Sequence, residues 1–289
     1  MRPEFEARIA TIATDRESGA SEILVEVLAI LRDVIAVGEP IRPVARALCR
    51  AQPSMASVWN AAMEAMVPDD GAARLEQFAM RVSRAPEAIA RFADEALPDA
   101  PMLRLVTISF SGSVAQLLQS LRARRKMRVA CSESRPALEG RRLASRLAGL
   151  GIPVTCYSDA AIGQALGSAD AVIVGADAVG PEWVLNKSGT RMLAAAATQQ
   201  GIPVYVVASR DKFVSRTVGA RLVAKEGATS EIWFAPPPGV TVRNPYFELT
   251  PLDLIASVIS DVGVLGAGMV PDVCEAAHDA FALETAKDL

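Results

Sequence analysis

The chain has 289 residues, 51% hydrophobic and 22% charged, with 30 basic side chains against 33 acidic. That length allows one or two domains and a core that needs no disulfide or metal staple. A net charge of −3 excludes a general nucleic-acid binder, whose affinity rests on neutralising phosphates. No apolar run approaches the ~20 residues of a membrane span, and the first 19 residues are charged throughout, so no signal peptide is expected. Cys49, Cys131, Cys156 and Cys274 are widely spaced with no C-x-x-C. This spacing excludes a sequence-evident zinc site or redox pair and suits reduced thiols in a cytoplasm. Cys49, Cys131 and Cys156 sit among apolar residues and read as core thiols. His278 is the single histidine. It falls in a C-terminal helical stretch, where a structural or surface role is expected. Carboxylates, hydroxyls, Lys and Arg are left to do chemistry.

Residues 1–100 read as a helical domain. Ser21 is a candidate cap for a helix whose apolar positions, Leu24, Val27, Leu28, Leu31 and Ile35, follow the 3.6-residue period, with Gly38 and Pro40 as its stop. Pro53 and Ser54 open another helix. A long amphipathic stretch then runs from Gly71 to Leu97, with Pro86 as an expected break or restart.

The composition changes at Leu97-Pro98-Asp99-Ala100-Pro101, and residues 101–289 read as a second, α/β domain. Apolar strand candidates at Leu103–Ser109, Met127–Cys131, Pro153–Tyr157, Ala171–Val174, Pro203–Ala208 and Glu231–Phe234 alternate with helical stretches at Val114–Arg125, Leu138–Gly149, Ala160–Leu166 and Thr190–Gln199. That alternation predicts βαβ units and a doubly wound parallel sheet. Two joints, Gly151-Ile152-Pro153-Val154 and Gly201-Ile202-Pro203-Val204, repeat one turn chemistry: Gly ends a helix and Pro opens a strand. Near the end, Ile255, Val258, Ile259, Val262, Val264 and Leu265 form a dense apolar stretch from which a dimer surface is expected. The alternative is that this stretch covers its own sheet.

Ligands of an open parallel sheet bind beyond the carboxyl ends of the strands. After the first strand, Ser109-Phe110-Ser111-Gly112-Ser113 opens a helix with small residues whose backbone N–H groups suit an anion; the plain alternative is a Ser cap. After the second comes Glu133-Ser134-Arg135-Pro136, where Arg135 suits a phosphate or carboxylate fork, or else pairs with Glu133 or Glu139. Asp159 follows the third strand and reads chiefly as a cap. After the fourth come Asp177 and then Asn186-Lys187-Ser188-Gly189-Thr190 at a helix start, the arrangement of an acid/base beside an anion anchor. The basic run Arg122, Arg124, Arg125, Lys126 and Arg128 reads as the cationic end of a helix. Gly266-Ala267-Gly268 lacks the third glycine of a dinucleotide fingerprint, and there is no P-loop, so no nucleotide cofactor or metal is expected.

Taken together, Cys131-Ser132-Glu133-Ser134-Arg135-Pro136, Ser158-Asp159-Ala160-Ala161, Val174-Gly175-Ala176-Asp177-Ala178-Val179, Asn186-Lys187-Ser188-Gly189-Thr190 and Asn244-Pro245-Tyr246-Phe247-Glu248-Leu249-Thr250-Pro251 resemble the translation initiation factor 2B alpha/beta/delta-subunit family. Gln52-Pro53-Ser54-Met55-Ala56, with Trp59-Asn60 beyond, extends the resemblance into the helical half, so that it spans roughly residues 40–260. That family contains regulatory subunits of a nucleotide-exchange factor and two sugar-phosphate isomerases, acting on methylthioribose 1-phosphate and ribose 1,5-bisphosphate. The resemblance implies a helical domain, a Rossmann-like domain that dimerises, and a pocket between them for a phosphorylated sugar or nucleotide-like metabolite. It also implies that the isomerases' aspartate corresponds to Asp177 and their cysteine to Ser109. A serine hydroxyl is a far weaker acid than a thiol and needs a base beside it. Binding without the usual isomerase chemistry is therefore expected, with an active isomerase as the alternative and Cys131 as a remote substitute acid. The expected binding residues are Arg42, Ser111, Gly112, Ser113, Glu133, Arg135, Asn186 and Lys187.

Overall fold

The computed structural model describes residues 1–15, 18–224, 226–278, 286–287 and 289. Five helices come first: α1 (Pro3–Thr14), α2 (Ala20–Ala36), α3 (Ile41–Ala51), α4 (Ala56–Ala65) and α5 (Gly71–Ala96). Of the stripe expected in α2, Leu24, Val27, Leu28 and Leu31 are buried and Ile35 only partly so, while Ile23, Ile30 and Val34 complete the buried face. Its cap is Gly19 rather than Ser21, and the Gly19 N–H donates to Glu22 Oε2 at 2.7 Å. Pro86 does not break α5, which is continuous for 26 residues. Proline removes one helical hydrogen bond, but α5 is held at both ends by packing. Leu75 and Phe78 belong to the core of the helical half, whereas Ala85, Ile89 and Ala93 belong to a core shared with the sheet. Tertiary burial thus overrides the local penalty, and α5 fastens the two halves together.

The sheet half runs β1 (Leu103–Thr107), α6 (Gly112–Leu121), β2 (Met127–Ser132), α7 (Glu139–Gly149), β3 (Val154–Tyr157), β4 (Ala171–Gly175), β5 (Ala178–Val179), β6 (Trp183–Lys187), α8 (Thr190–Gln199), β7 (Val204–Val207), α9 (Arg216–Gly219), β8 (Phe247–Pro251), β9 (Ser257–Ser260), β10 (Gly263–Leu265) and α10 (Val270–Glu275). The large sheet has the order β10-β9-β7-β4-β1-β2-β3. All its neighbours are parallel except β10, which returns antiparallel along β9. The chain therefore winds outward in both directions from β1 and β4, as in a doubly wound fold. Gly151 and Gly201, at the two Gly-x-Pro joints, take φ of +76° and +71°, the left-handed conformation in which glycine ends a helix.

Several expectations change. Residues 160–166 form a 3-10 rather than an α-helix. Glu231–Phe234 is not a strand: a short 3-10 turn, Thr229–Glu231, leads into a loop in which Trp233 is 48% and Phe234 88% exposed. Its residue types suit a strand, but three prolines follow, and proline cannot donate to a ladder. Asn186 and Lys187 lie on β6, so the helix they were expected to open begins at Thr190. The second, antiparallel sheet β5-β6-β8 has no counterpart in the sequence pattern. The apolar stretch expected to be a dimer surface is spent on the chain's own sheet: Val258 and Ile259 of β9 are fully buried, and Ile255 and Leu265 nearly so. Only Val262 and Val264 stay partly outside. No helix among the described residues is long and apolar enough to cross a membrane.

Candidate functional site

The order of the large sheet reverses between β1 and β4, and a crevice opens at their carboxyl ends. A cavity of about 270 Å³ fills it. Its floor comes from the loops after three strands: Ile108–Gly112 after β1, Ala176 and Asp177 after β4, and Lys212 after β7. Asn186, Lys187, Tyr246 and Phe247 from the small-sheet region form a side wall. The helical half forms the roof, through the α1–α2 junction together with Gln52 and Met55.

The floor is shaped by backbone constraint. Ser109 has φ +65°, unusual for a residue with a Cβ, and its N–H donates to Ser134 Oγ at 2.8 Å. Ser134, itself at φ +61°, is held by a backbone hydrogen bond to Asp159 Oδ1 at 2.7 Å. The loop after β1 therefore hangs on the loop after β2, which hangs on Asp159. Ser111 caps α6 by accepting the Val114 N–H. Gly175, the last residue of β4, makes this approach feasible: a Cβ there would stand 2.3 Å from Ser111 Oγ.

Asp177 is positioned by its backbone. Its N–H donates to the Leu185 carbonyl at 2.8 Å, and its own carbonyl accepts the Ala56 N–H at the start of α4 at 3.0 Å. The carboxyl group faces a crowded charge environment. Burial pushes its pKa up to about 6, against the pull of Lys212 and Lys187, with Glu139 adding to the rise. Lys187 is almost fully buried; its ammonium donates to Glu139 Oε1 at 2.7 Å and lies 4.4 Å from the centre of the Tyr246 ring. Lys212, also buried, reaches Ser113 Oγ at 3.4 Å. Asn186 donates to Thr190 Oγ1, which in turn donates to the Lys187 carbonyl, so the end of β6 is fixed onto the start of α8.

Of the residues expected from the sequence, Ser109, Ser111, Gly112, Asp177, Asn186 and Lys187 line this cavity. Ser113 lies one step further on, beside Lys212 in an adjoining cavity. Arg42, Glu133 and Arg135 are not in the lining. Arg42 is exposed on α3, and Glu133 pairs with Arg141. Arg135 is exposed, while Asp159 takes the backbone N–H groups of both Ser134 and Arg135. Cys131 is buried in the sheet, donates to the Gly140 carbonyl and does not line the cavity, and burial pushes its thiol up to about 12. It does not stand in for Ser109.

Lys212 and Arg142 join the site without having been singled out in the sequence, and Gln52, noted there only within a family-like motif and given no role, joins them. Lys212 follows β7 by five residues, so the strand-end rule that finds Asp177 points to it equally. Arg142, over the face of Phe110 at 4.6 Å, and Gln52, which donates to the Ile12 carbonyl, reach the cavity through packing that leaves no local signal.

A doubly wound sheet, roofed by a helical bundle over its switch point, with a carboxyl group whose pKa is raised to about 6 beside two buried ammonium groups, defines a Rossmann-type α/β protein with a charged crevice between its helical and sheet halves. The chain belongs to the Initiation factor 2 subunit family, whose sequence profile matches residues 13–267. It is 31% identical over 232 residues to the translation initiation factor eIF-2B subunit 2-like protein of Pyrococcus abyssi, covering 78% of this chain and 81% of that one. It is also 36% identical over 148 residues to the ribose 1,5-bisphosphate isomerase of Archaeoglobus fulgidus, covering about half of each chain (49% and 46%). The crystal structure of the Pyrococcus horikoshii OT3 translation initiation factor eIF-2B superposes with a TM-score of 0.78 at 25% identity, over 92% of this chain and 98% of that one.

Proposed function

We propose that the crevice binds a phosphorylated sugar or related metabolite and that the protein does not run two-residue aldose–ketose isomerisation on it. The observation that carries this reading is the placing of Asp177 within the field of buried Lys187 and Lys212 in a cavity whose described lining contains no cysteine. Isomerisation needs one group to take a proton and another to return it. Asp177, titrating near neutrality, suits one role. Ser109 occupies the position expected of the second and does not titrate in that range. Lys212 and the N–H groups at the start of α6 supply the anion grip. A homodimer, which the resemblance implies, is part of the same proposal.

The test is titration calorimetry with ribose 1,5-bisphosphate, methylthioribose 1-phosphate and ribose 5-phosphate, followed by an isomerase assay on each ligand that binds. Saturable binding without turnover is expected. Lys212→Ala should weaken binding about 10- to 100-fold, the loss of one charge-assisted contact, whereas Arg135→Ala should leave it within about twofold, because that side chain lies outside the cavity. No binding of any of the three at millimolar concentration overturns the proposal.

The active-isomerase reading rests on the same raised Asp177 and on the name of the Archaeoglobus relative. Ser109→Cys separates the two. A thiol at that position restores a group that titrates near pH 8.5, and turnover should rise from background by at least about tenfold, which is roughly 1.4 kcal/mol of barrier. Robust turnover by the unaltered protein establishes the isomerase reading instead.

A further inference from the structure

The spacing of the cysteines gives no redox pair, but the fold makes one. Cys131 on β2 and Cys156 on β3 are direct register partners in parallel strands. Adjacent strands lie about 4.8 Å apart, inside the roughly 4.4–6.8 Å range of Cα separations that a disulfide spans. Register partners also project to the same face of a sheet, and the two thiols stand within hydrogen-bonding reach of each other. Their accessibilities differ. Cys131 is buried, with its thiol donating to the Gly140 carbonyl, whereas Cys156 lies on the edge strand and is exposed, contrary to the expectation of a core thiol. Cys49 and Cys274 are buried.

We propose that Cys131 and Cys156 form an oxidant-responsive dithiol that closes to an intrachain disulfide on reaction with a hydroperoxide. Exposed Cys156 meets the oxidant first. Its thiolate attacks the peroxide, the O–O bond breaks, and a sulfenic acid forms at Cys156 with release of water or an alcohol. The Cys131 sulfur then attacks the sulfenic sulfur: an S–S bond forms, the S–O bond breaks, and the departing oxygen leaves as water with the proton that Cys131 gives up. Two thiols lose two electrons and the peroxide gains them. Burial raises the Cys131 thiol, which makes this second step the slow one.

The link would tie β2 to β3 just ahead of Ser134 and Asp159, the residues on which the Ser109 loop hangs. Redox state at the sheet edge thereby reaches the cavity floor through two hydrogen bonds.

The experiment treats the reduced full-length chain with hydrogen peroxide, alkylates the remaining thiols after unfolding, and reads the intact mass and the non-reduced peptide map. The expected result is loss of two of the four alkylatable thiols and a peptide joining Cys131 to Cys156, both reversed by dithiothreitol. In Cys131→Ser the sulfenic acid at Cys156 should persist long enough to be trapped by dimedone. In Cys156→Ser, oxidation should be slower than in the parent by at least about tenfold, since the remaining cysteines are buried. The proposal is overturned if Cys156 advances to sulfinate, or joins a second chain, while Cys131 remains alkylatable.

Discussion

Replacing Lys187 by methionine should destabilise the protein by about 3–5 kcal/mol, the cost of removing one partner from a buried ion pair. The ammonium is nearly inaccessible and sits 2.7 Å from Glu139 Oε1, and Glu139 Oε2 is buried without a hydrogen-bond partner. Methionine preserves the stem but removes the Lys187 charge that pulls the Asp177 pKa down while Glu139 still pushes it up, so Asp177 shifts further toward the protonated form. Adding Glu139→Gln should recover most of the loss, because the double variant buries an amide instead of an unpaired charge. Urea unfolding of the parent, both single variants and the double variant measures this as a double-mutant cycle, and strong non-additivity is expected. A Lys187→Met protein within about 1 kcal/mol of the parent contradicts the buried pair, since exposed pairs are worth that little.

The same pair shows what the sequence discloses and what it hides. Lys187 stands out because it follows an aspartate at a strand end, yet the pattern around it suggests a helix start. The WVLNK segment does not look like a strand because two of its buried residues are polar. Asn186 and Lys187 are satisfied there by Thr190 and Glu139, partners that only the fold supplies. The inner parallel strands β1, β2, β4 and β7 are legible because burial on both faces makes them largely apolar runs, whereas the edge strand β3, with Cys156 exposed, is marked by the Gly-x-Pro joint that precedes it. Strand β9 is equally apolar but reads as surplus, since nothing local says that β7 and β10 flank it. In the site, the strand-end rule locates the floor, and side-chain direction defeats it at Arg135. Arg135 stands just past the right strand end and is exposed all the same.

Asp177→Asn should make the protein more stable at pH 8 and leave it unchanged near pH 4. Burial raises the folded-state pKa from 3.8 to about 6, so the native state holds the proton more tightly than the unfolded chain. The stability this supplies is complete below the unfolded pKa and is lost as pH rises through the folded one. Above about pH 7, therefore, the ionised carboxylate is a net cost on the order of 1–3 kcal/mol, since each tenfold change in proton affinity is worth roughly 1.4 kcal/mol. Asparagine has the same shape and never ionises, so it removes that cost. The attraction of Lys187 and Lys212 is already contained in the net direction, because both pull the pKa down and burial still prevails. Thermal unfolding of both proteins from pH 4 to pH 8 should give curves that diverge through pH 6, with the variant higher on the alkaline side. Coincident curves would put Asp177 in a solvated setting and remove the basis for giving it a proton-carrying role. A variant that is more stable but binds a sugar phosphate at least about tenfold more weakly would identify Asp177 as a residue kept at the expense of stability, the pattern expected of a functional carboxyl group.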